Sequence, residues 1–235
     1  MQLGPLDYLV WTVGFLLEAY VVVCLAFHRD TFRYFSLNLY MLAAALVTLG
    51  HYVTFHTYGY TSMQYRYFYY YSESLLIVLI YFTVMELYQH VFREMNVSRY
   101  IRSAAALLLI ATAFFSYAVV RQNKDHLTSH FVVELGQNLY FVGVVLTYLL
   151  WGAVLKLRET RTRLIQLILA LGVYFSATAG TYALRNLFPG LQESFLRWVP
   201  PLIGTWLPLA WAYTFSKVPE EARLTTARLL VRARS

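Results

Sequence analysis

Three ionisable side chains lie inside long apolar runs of the sequence, and a fourth directly follows such a run at the same level. The three are His51, Glu73 and Glu134, and the fourth is Arg185. A charged group inside a membrane-spanning segment costs at least about 2.5 kcal/mol, so such groups normally face the bundle interior or a water-filled cavity and mark functional sites. Carboxyls, an imidazole and a guanidinium at one depth predict a site that binds the polar groups of a small ligand.

In the second, fifth and sixth apolar runs, further polar residues lie three or four positions from these residues and so share a helix face with them. We therefore predict a polar cavity that opens to the outer side of a membrane. Its predicted ligand-binding residues are His51, Tyr52, Glu73, Glu134, Gln137, Asn138, Tyr182 and Arg185. The alternative is a set of interhelical hydrogen bonds and a Glu–Arg pair that only hold the bundle together.

A metal site is the second chemistry that the spacing suggests. His126, His130 and Glu134 follow one another at intervals of four, so an early start of the fifth helix would place all three on one face. No fourth ligand accompanies them, so we expect neither a metal nor a cofactor. The single cysteine, Cys24, excludes a disulfide framework and a cysteine-based zinc site.

The elements that position these residues are predicted from composition and run length. The chain is 59% apolar and 13% charged, whereas soluble domains carry about 25% charged residues. A bilayer core of about 30 Å needs roughly 20 apolar residues per helix. Seven runs fit this length: Leu6 to Phe27, Phe35 to Phe55, Phe68 to Val91, Ile101 to Val120, Phe131 to Leu155, Leu164 to Leu184 and Trp198 to Phe215. We predict an all-α, polytopic membrane protein with a seven-helix transmembrane domain over residues 1–217.

The basic residues predict the orientation of this bundle. Of the 19 Lys and Arg residues, 14 fall in the first, third and fifth loops and in the tail. By the positive-inside rule the N-terminus is outside and the C-terminus is cytoplasmic. Residues 218–235 read as a basic, amphipathic cytoplasmic tail, which lies on anionic lipid or docks a partner. The net charge of +7 is thus explained by topology, and no nucleic acid is expected.

Several features inside the runs carry less specific signals. The tyrosines between Tyr65 and Tyr71 fit an interfacial aromatic belt or the lining of a ligand site. Three prolines are expected to kink or break the seventh helix: Pro200, Pro201 and Pro208. Glu18 lies near the middle of the first run, and Glu86, near the end of the third, is expected to reach water or a neighbouring arginine.

Three segments carry a resemblance to known proteins. They are the basic first loop HRDTFRYFSLNLY, the third run YYYSESLLIVLIYFTVMELYQHVF and the aromatic seventh run. In these the chain resembles a loose group of uncharacterised bacterial seven-helix integral membrane proteins and is similar to the seven-helix sensor module found ahead of some histidine kinases. The resemblance implies ligand sensing. Because the chain ends about twenty residues after the seventh run, the signal would pass to a separate protein.

These observations together predict a receptor-like, sensory protein of the cytoplasmic (inner) membrane. We expect it to bind a small amphipathic or zwitterionic ligand from outside and to contact the lipid bilayer and a cytoplasmic or membrane protein partner. A retinal protein is excluded because Lys217 stands at the end of the seventh run, not in its middle. We expect no enzyme. The alternatives are a non-catalytic subunit of a larger membrane complex and a small-solute transporter.

Overall fold

The computed structural model describes residues 5–27, 33–59, 61–93, 98–121, 127–188 and 199–223. These residues form seven α-helices and no strand, apart from an isolated bridge between Arg161 and Arg223. The helices are α1 (Pro5–Phe27), α2 (Phe35–Tyr58), α3 (Met63–Val91), α4 (Ser98–Val120), α5 (Leu127–Lys156), α6 (Thr162–Leu187) and α7 (Val199–Lys217). The prediction of an all-helical chain is confirmed.

Six helices, α1 to α6, are long and apolar enough to cross a membrane, so the chain is a multi-pass membrane protein in contact with lipid. The seventh, α7, has 19 residues and is not among those six. Its prolines do not break it. Pro200 and Pro201 stand in the first turn, where the missing N–H has no helical partner to lose, and the helix continues through Pro208.

Six of the helices form a closed ring in the order α1, α2, α3, α5, α6, α7, in which α7 packs back against α1. The fourth helix, α4, stands outside the ring against α5 and α3. Large apolar side chains of α4, such as Leu107, Ile110 and Phe114, are exposed. The interior of the protein is therefore the space between the six ring helices.

The two ends of the ring differ in packing. We call the end where α2 begins and α7 ends the basic end, and the opposite end the tyrosine end. An apolar plug fills the half nearest the basic end; its buried members are Val21, Leu25, Leu37, Met41, Ile80, Val84, Leu87, Leu150, Val154, Leu164, Leu167, Ile168, Leu171, Trp211 and Phe215. Far fewer buried apolar residues belong to the described part of the other half, among them Val132 and Ala179.

At the basic end, an ion-pair cluster that we call the latch fastens the segment after α7. Arg163 is only 4% exposed and donates two hydrogen bonds to the carbonyl of Val218, at 3.0 and 2.8 Å. Glu220 accepts a further bond from Arg163 at 2.8 Å and one from Arg33 at 2.9 Å. Residues 218–223 form turns and the bridge instead of a helix, and residues 224–235 of the predicted tail lie outside the described chain.

Two more acids at this end serve the backbone. Glu86 accepts the N–H groups of Ser36 and Leu37 at 3.0 and 3.3 Å, and so caps α2 from α3 instead of reaching water or an arginine. Between α5 and α6, Arg161 donates from its side chain and its backbone N–H to Glu159. These bonds hold the pKa of the Glu159 carboxyl below its usual value.

Candidate functional site

Three tyrosines from three helices meet inside the ring, and we call them the phenol bridge: Tyr40 of α2, Tyr140 of α5 and Tyr174 of α6. The hydroxyls of Tyr140 and Tyr174 are 3.4 Å apart, and Tyr174 lies within electrostatic range of Tyr40. A buried phenol needs such a partner because its hydroxyl cannot reach water. The bridge rests on the apolar plug, since the ring of Tyr40 lies 6.1 Å from that of Trp211.

Close helix packing brings the tyrosines of α5 and α6 together. Gly143 lies one turn from Tyr140, and a Cβ atom at this position would overlap the ring of Phe175. Its absence lets α6 approach α5, so that Phe175 packs edge-on against Tyr140 at 6.1 Å. The glycine therefore positions the bridge even though it contributes no polar group.

Two carboxyls flank the phenol bridge. Glu73 of α3 lies within electrostatic range of Tyr40, Tyr140 and Tyr174. It stands one turn from the buried Ile77, on the stripe of α3 that faces the ring interior. Glu18 of α1 accepts a hydrogen bond from Thr48 of α2 at 3.0 Å. Both residues are half-buried.

Tyr182 and Arg185 extend the site toward the tyrosine end. The ring of Tyr182 stacks on that of Tyr140 at 5.7 Å, and its hydroxyl lies within electrostatic range of both Glu73 and Arg185. Arg185 is exposed. The ion pairs between described residues all lie at the basic end, and none of them includes Arg185. The guanidinium thus lies at the rim of the site without neutralising a described carboxyl.

His51 belongs to the contact between α2 and α3. One ring nitrogen, Nε2, lies 3.1 Å from the hydroxyl of Ser72, the chain neighbour of Glu73. The rings of Phe68 and Tyr69 pack against the imidazole at 5.2 and 5.7 Å. The histidine is therefore adjacent to the helix turn that carries Glu73, and it is enclosed by aromatic side chains of the tyrosine-rich segment.

Of the predicted residues of α5, Asn138 faces away from this interior. Asn138 donates to Ser116 of α4 at 3.0 Å, so its face of α5 lies toward the helix outside the ring. At about 100° per residue, Glu134 is roughly 40° from Asn138 and about 120° from Tyr140 around the helix. Glu134 and Gln137 are half-buried. The neighbour of this side of α5 at Asn138 is α4, and a common role for the three residues stays a prediction.

The remaining predicted positions lie at the periphery or beyond the described residues. Tyr52 is 47% exposed, and its ring packs on His56 of the same helix. His126 lies outside the described chain, and the side chain of His130 is not described, so the metal pattern is untested. Among described residues, no three metal-ligating side chains come together.

Sequence reasoning missed Tyr40, Tyr140 and Trp211. Trp211 is fully buried on α7 beside Tyr40, and its indole N–H has no hydrogen-bond partner among the described residues. For Tyr140, the available signal was its position near the middle of a long apolar run, where an interfacial belt does not place a phenol. The site that results is a group of phenols and carboxyls between six helices, suited to holding the polar groups of a small molecule.

A comparison with protein-family models, curated proteins and solved structures finds no match for this chain.

Proposed function

We propose that the chain is a receptor-like, sensory protein of the cytoplasmic membrane that binds a small ligand in the tyrosine-end half of the ring. One observation carries the proposal: the ring is packed by the apolar plug in one half and carries half-buried carboxyls and phenols above it. A molecule that enters from the tyrosine end meets Tyr182 and Glu73 first and stops at the phenol bridge. We propose binding without catalysis.

The orientation proposed for the bundle puts the tyrosine end outside and the basic end in the cytoplasm. The positive-inside rule supports it, because 14 of 19 Lys and Arg residues belong to the basic-end loops and the tail. We also propose that α7 crosses the membrane as a seventh span. It packs between α6 and α1, and two of its side chains bond to α6: Trp206 donates to the Ala170 carbonyl at 3.2 Å, and Thr214 donates to Gln166 at 3.3 Å.

The route proposed from ligand to partner runs along α7. Trp211 of this helix packs against Tyr40 of the phenol bridge, and Phe215, one turn further, lies under the guanidinium of Arg163 at 5.4 Å. A shift of α7 on ligand binding would therefore reach the latch and the segment after it. The basic end is where a separate cytoplasmic or membrane partner would respond.

The test is a thermal-shift measurement on purified protein in detergent with amino acids, amines and aromatic acids. We expect at least one class to raise the melting temperature, and the shift to shrink by more than half in Glu73→Gln and in Tyr140→Phe. Asn138→Ala is the matched control, because Asn138 bonds to α4 outside the ring. No shift with any compound, together with loss of stability in both variants, would replace this proposal by that of a non-catalytic subunit in a larger complex.

A transporter is the other alternative, and it requires a path for the solute through the half of the ring nearest the basic end. Solute would have to pass the phenol bridge and the apolar plug, in which Leu25, Leu167 and Trp211 are fully buried. Uptake of a bound compound into proteoliposomes distinguishes the two functions. A receptor binds without uptake, whereas saturable uptake that is lost in Glu73→Gln would favour the transporter.

A further inference from the structure

We infer that the ligand of this site is a small organic cation, an ammonium compound whose charge is held by Glu73 beside the phenol bridge. The inference rests on the proposed function and adds the chemical class of the ligand. Its first support is the sign of the charges in the interior. Glu18 and Glu73 both lie within electrostatic range of Tyr40, and neither forms an ion pair with a described lysine or arginine.

The nearest described bases do not compensate Glu73. Arg185 is exposed at the rim and lies within range of Tyr182, and His51 is occupied with the hydroxyl of Ser72. Glu18 has the Thr48 hydroxyl as a donor, but Glu73 accepts no hydrogen bond from a described residue. A carboxylate held inside a protein without a counter-charge is unfavourable, and a cationic ligand supplies both the charge and the N–H donors.

The aromatic side chains around Glu73 favour a cation as well. The ring of Tyr140 has three aromatic neighbours, with centroids between 5.7 and 6.2 Å away, in Tyr174, Phe175 and Tyr182. Aromatic faces attract ammonium groups through the quadrupole of the ring, most strongly where water is excluded. A carboxylate ligand would find no ion-pair partner in Glu18 or Glu73.

A second observation indicates that the interior polar groups are paired incompletely by the protein alone. The indole N–H of Trp211 beside Tyr40 is fully buried and lacks an acceptor among the described residues. Buried polar groups are nearly always paired in folded proteins. This N–H lies in the apolar plug and needs an acceptor, which an ammonium group does not offer, so it bears on the packing around Tyr40 and not on the charge of the ligand.

The first experiment tests this without knowledge of the natural ligand. If Glu73 serves to bind a cationic ligand and not to stabilise the fold, the Glu73→Gln variant without ligand should be at least as stable as the wild type without ligand. Glu86→Gln is the matched control: this carboxyl caps α2, so the variant should melt at a lower temperature. A Glu73→Gln variant that melts as early as Glu86→Gln would overturn the inference and mark Glu73 as structural.

The second experiment uses three probes with one aromatic body: 2-phenylethylamine, 2-phenylethanol and phenylacetate. We expect only the amine to raise the melting temperature of the wild type. The apparent affinity for the amine, taken from the concentration dependence of this shift, should fall at least tenfold in Glu73→Gln. Equal shifts with the alcohol, or a larger shift with the acid, would overturn the cationic class while the proposed binding function stands. No shift with any probe, combined with a destabilised Glu73→Gln, would overturn both.

Discussion

A single carboxyl in an apolar helix can serve the fold instead of a ligand, and Glu86 is the example here. The N-cap of α2 is Tyr34, whose side chain makes no capping hydrogen bond. The unpaired N–H groups of the first turn are met by the carboxylate of Glu86, from the neighbouring helix. The hydrogen-bond donors around an acid in a membrane helix therefore indicate whether its role is structural. Glu86 accepts from two backbone N–H groups, whereas Glu73 accepts from no described residue.

Acidification is expected to weaken the connection between α5 and α6 through Glu159. Its pKa is lowered, chiefly by the side chain of Arg161, so the carboxyl contributes stability above its unfolded pKa of about 4.3 and loses it as pH falls through the folded value. Between about pH 5 and pH 3 the melting temperature of the wild type should therefore drop faster than that of Glu159→Gln. At pH 7 the variant should be less stable by at most about 1 kcal/mol, because the pair is partly exposed.

Glu221→Gln serves as the control for this pH series, since Glu221 is exposed in the turn after α7. Its curve should follow that of the wild type. Parallel curves for the wild type and Glu159→Gln would show that the pair with Arg161 does not contribute to acid sensitivity.

The polar residues of the site were only partly predictable from the sequence. Glu73 and Tyr182 stand out as polar groups in apolar runs, and the structure places them within electrostatic range of each other. Tyr40 and Tyr140 were missed because frequent tyrosine is typical of interfacial belts. For Asn138, spacing gives the shared face but not its neighbour, and that neighbour proved to be α4.

At the scale of elements, apolar run length predicts the helices but not their neighbours. Each of the seven runs became a helix, and α3 begins at Met63 instead of Phe68 because Ser62 caps it by accepting the N–H of Tyr65. The order of the ring was not predictable, since lipid and protein interior are both apolar and the hydrophobic effect does not distinguish a buried face from a lipid-facing one. For the same reason, the sequence did not predict that α4 packs against α5 and α3 outside the ring.

The latch is expected to be the strongest single fastening of α7. Arg163→Met removes the bonds to Val218 and Glu220 described above, and among the described residues Glu220 then keeps Arg33, so we expect a loss of about 2–4 kcal/mol in unfolding free energy. Thermal unfolding in detergent measures it, at roughly 2–4 °C per kcal/mol for a chain of this size. Arg163→Lys should recover only part of the loss, because an ammonium cannot reproduce the fork of the guanidinium.

Arg223→Gln is the control for the latch, as Arg223 is exposed and joins the bridge through its backbone. It should change the melting temperature little. If Arg163→Met were equally mild, the segment after α7 would be held by its backbone contacts, such as the bond from Thr162 N–H to the Ala222 carbonyl at 3.1 Å.

At the scale of the whole molecule, the unequal packing of the two halves gives the bundle a direction. The charged fastening and the apolar plug occupy one end, and the carboxyls and phenols lie above them. In the proposed orientation the ligand half faces outside, and the fastened half faces the cytoplasm. This arrangement suits the proposed receptor, because the apolar plug blocks the passage of solute while a shift of α7 can reach the cytoplasmic end.

Reporter fusions test the orientation and the seventh span together. A reporter after Ser235 should be active only as a cytoplasmic fusion, and one inserted at residue 60, between α2 and α3, only as a periplasmic fusion. A reporter inserted between residues 189 and 198 should also report the periplasm. If the insertions at residue 60 and between residues 189 and 198 reported the periplasm and the fusion after Ser235 did so as well, α7 would not cross the membrane.

The contact between α1 and α7 means that the ring joins the first helix of the chain to the last. During translation α1 emerges long before α7 exists. At about 5–20 residues per second, the interval from Phe27 to Val199 lasts roughly 10 to 35 s. Throughout it the nascent α1 lacks one of its two ring neighbours, so α2 alone can cover Glu18. Because α2 follows directly, Thr48 can donate to Glu18 as soon as the first hairpin inserts. The hydroxyl of Thr48 thus shelters an acid that the rest of the ring encloses only after synthesis is nearly complete.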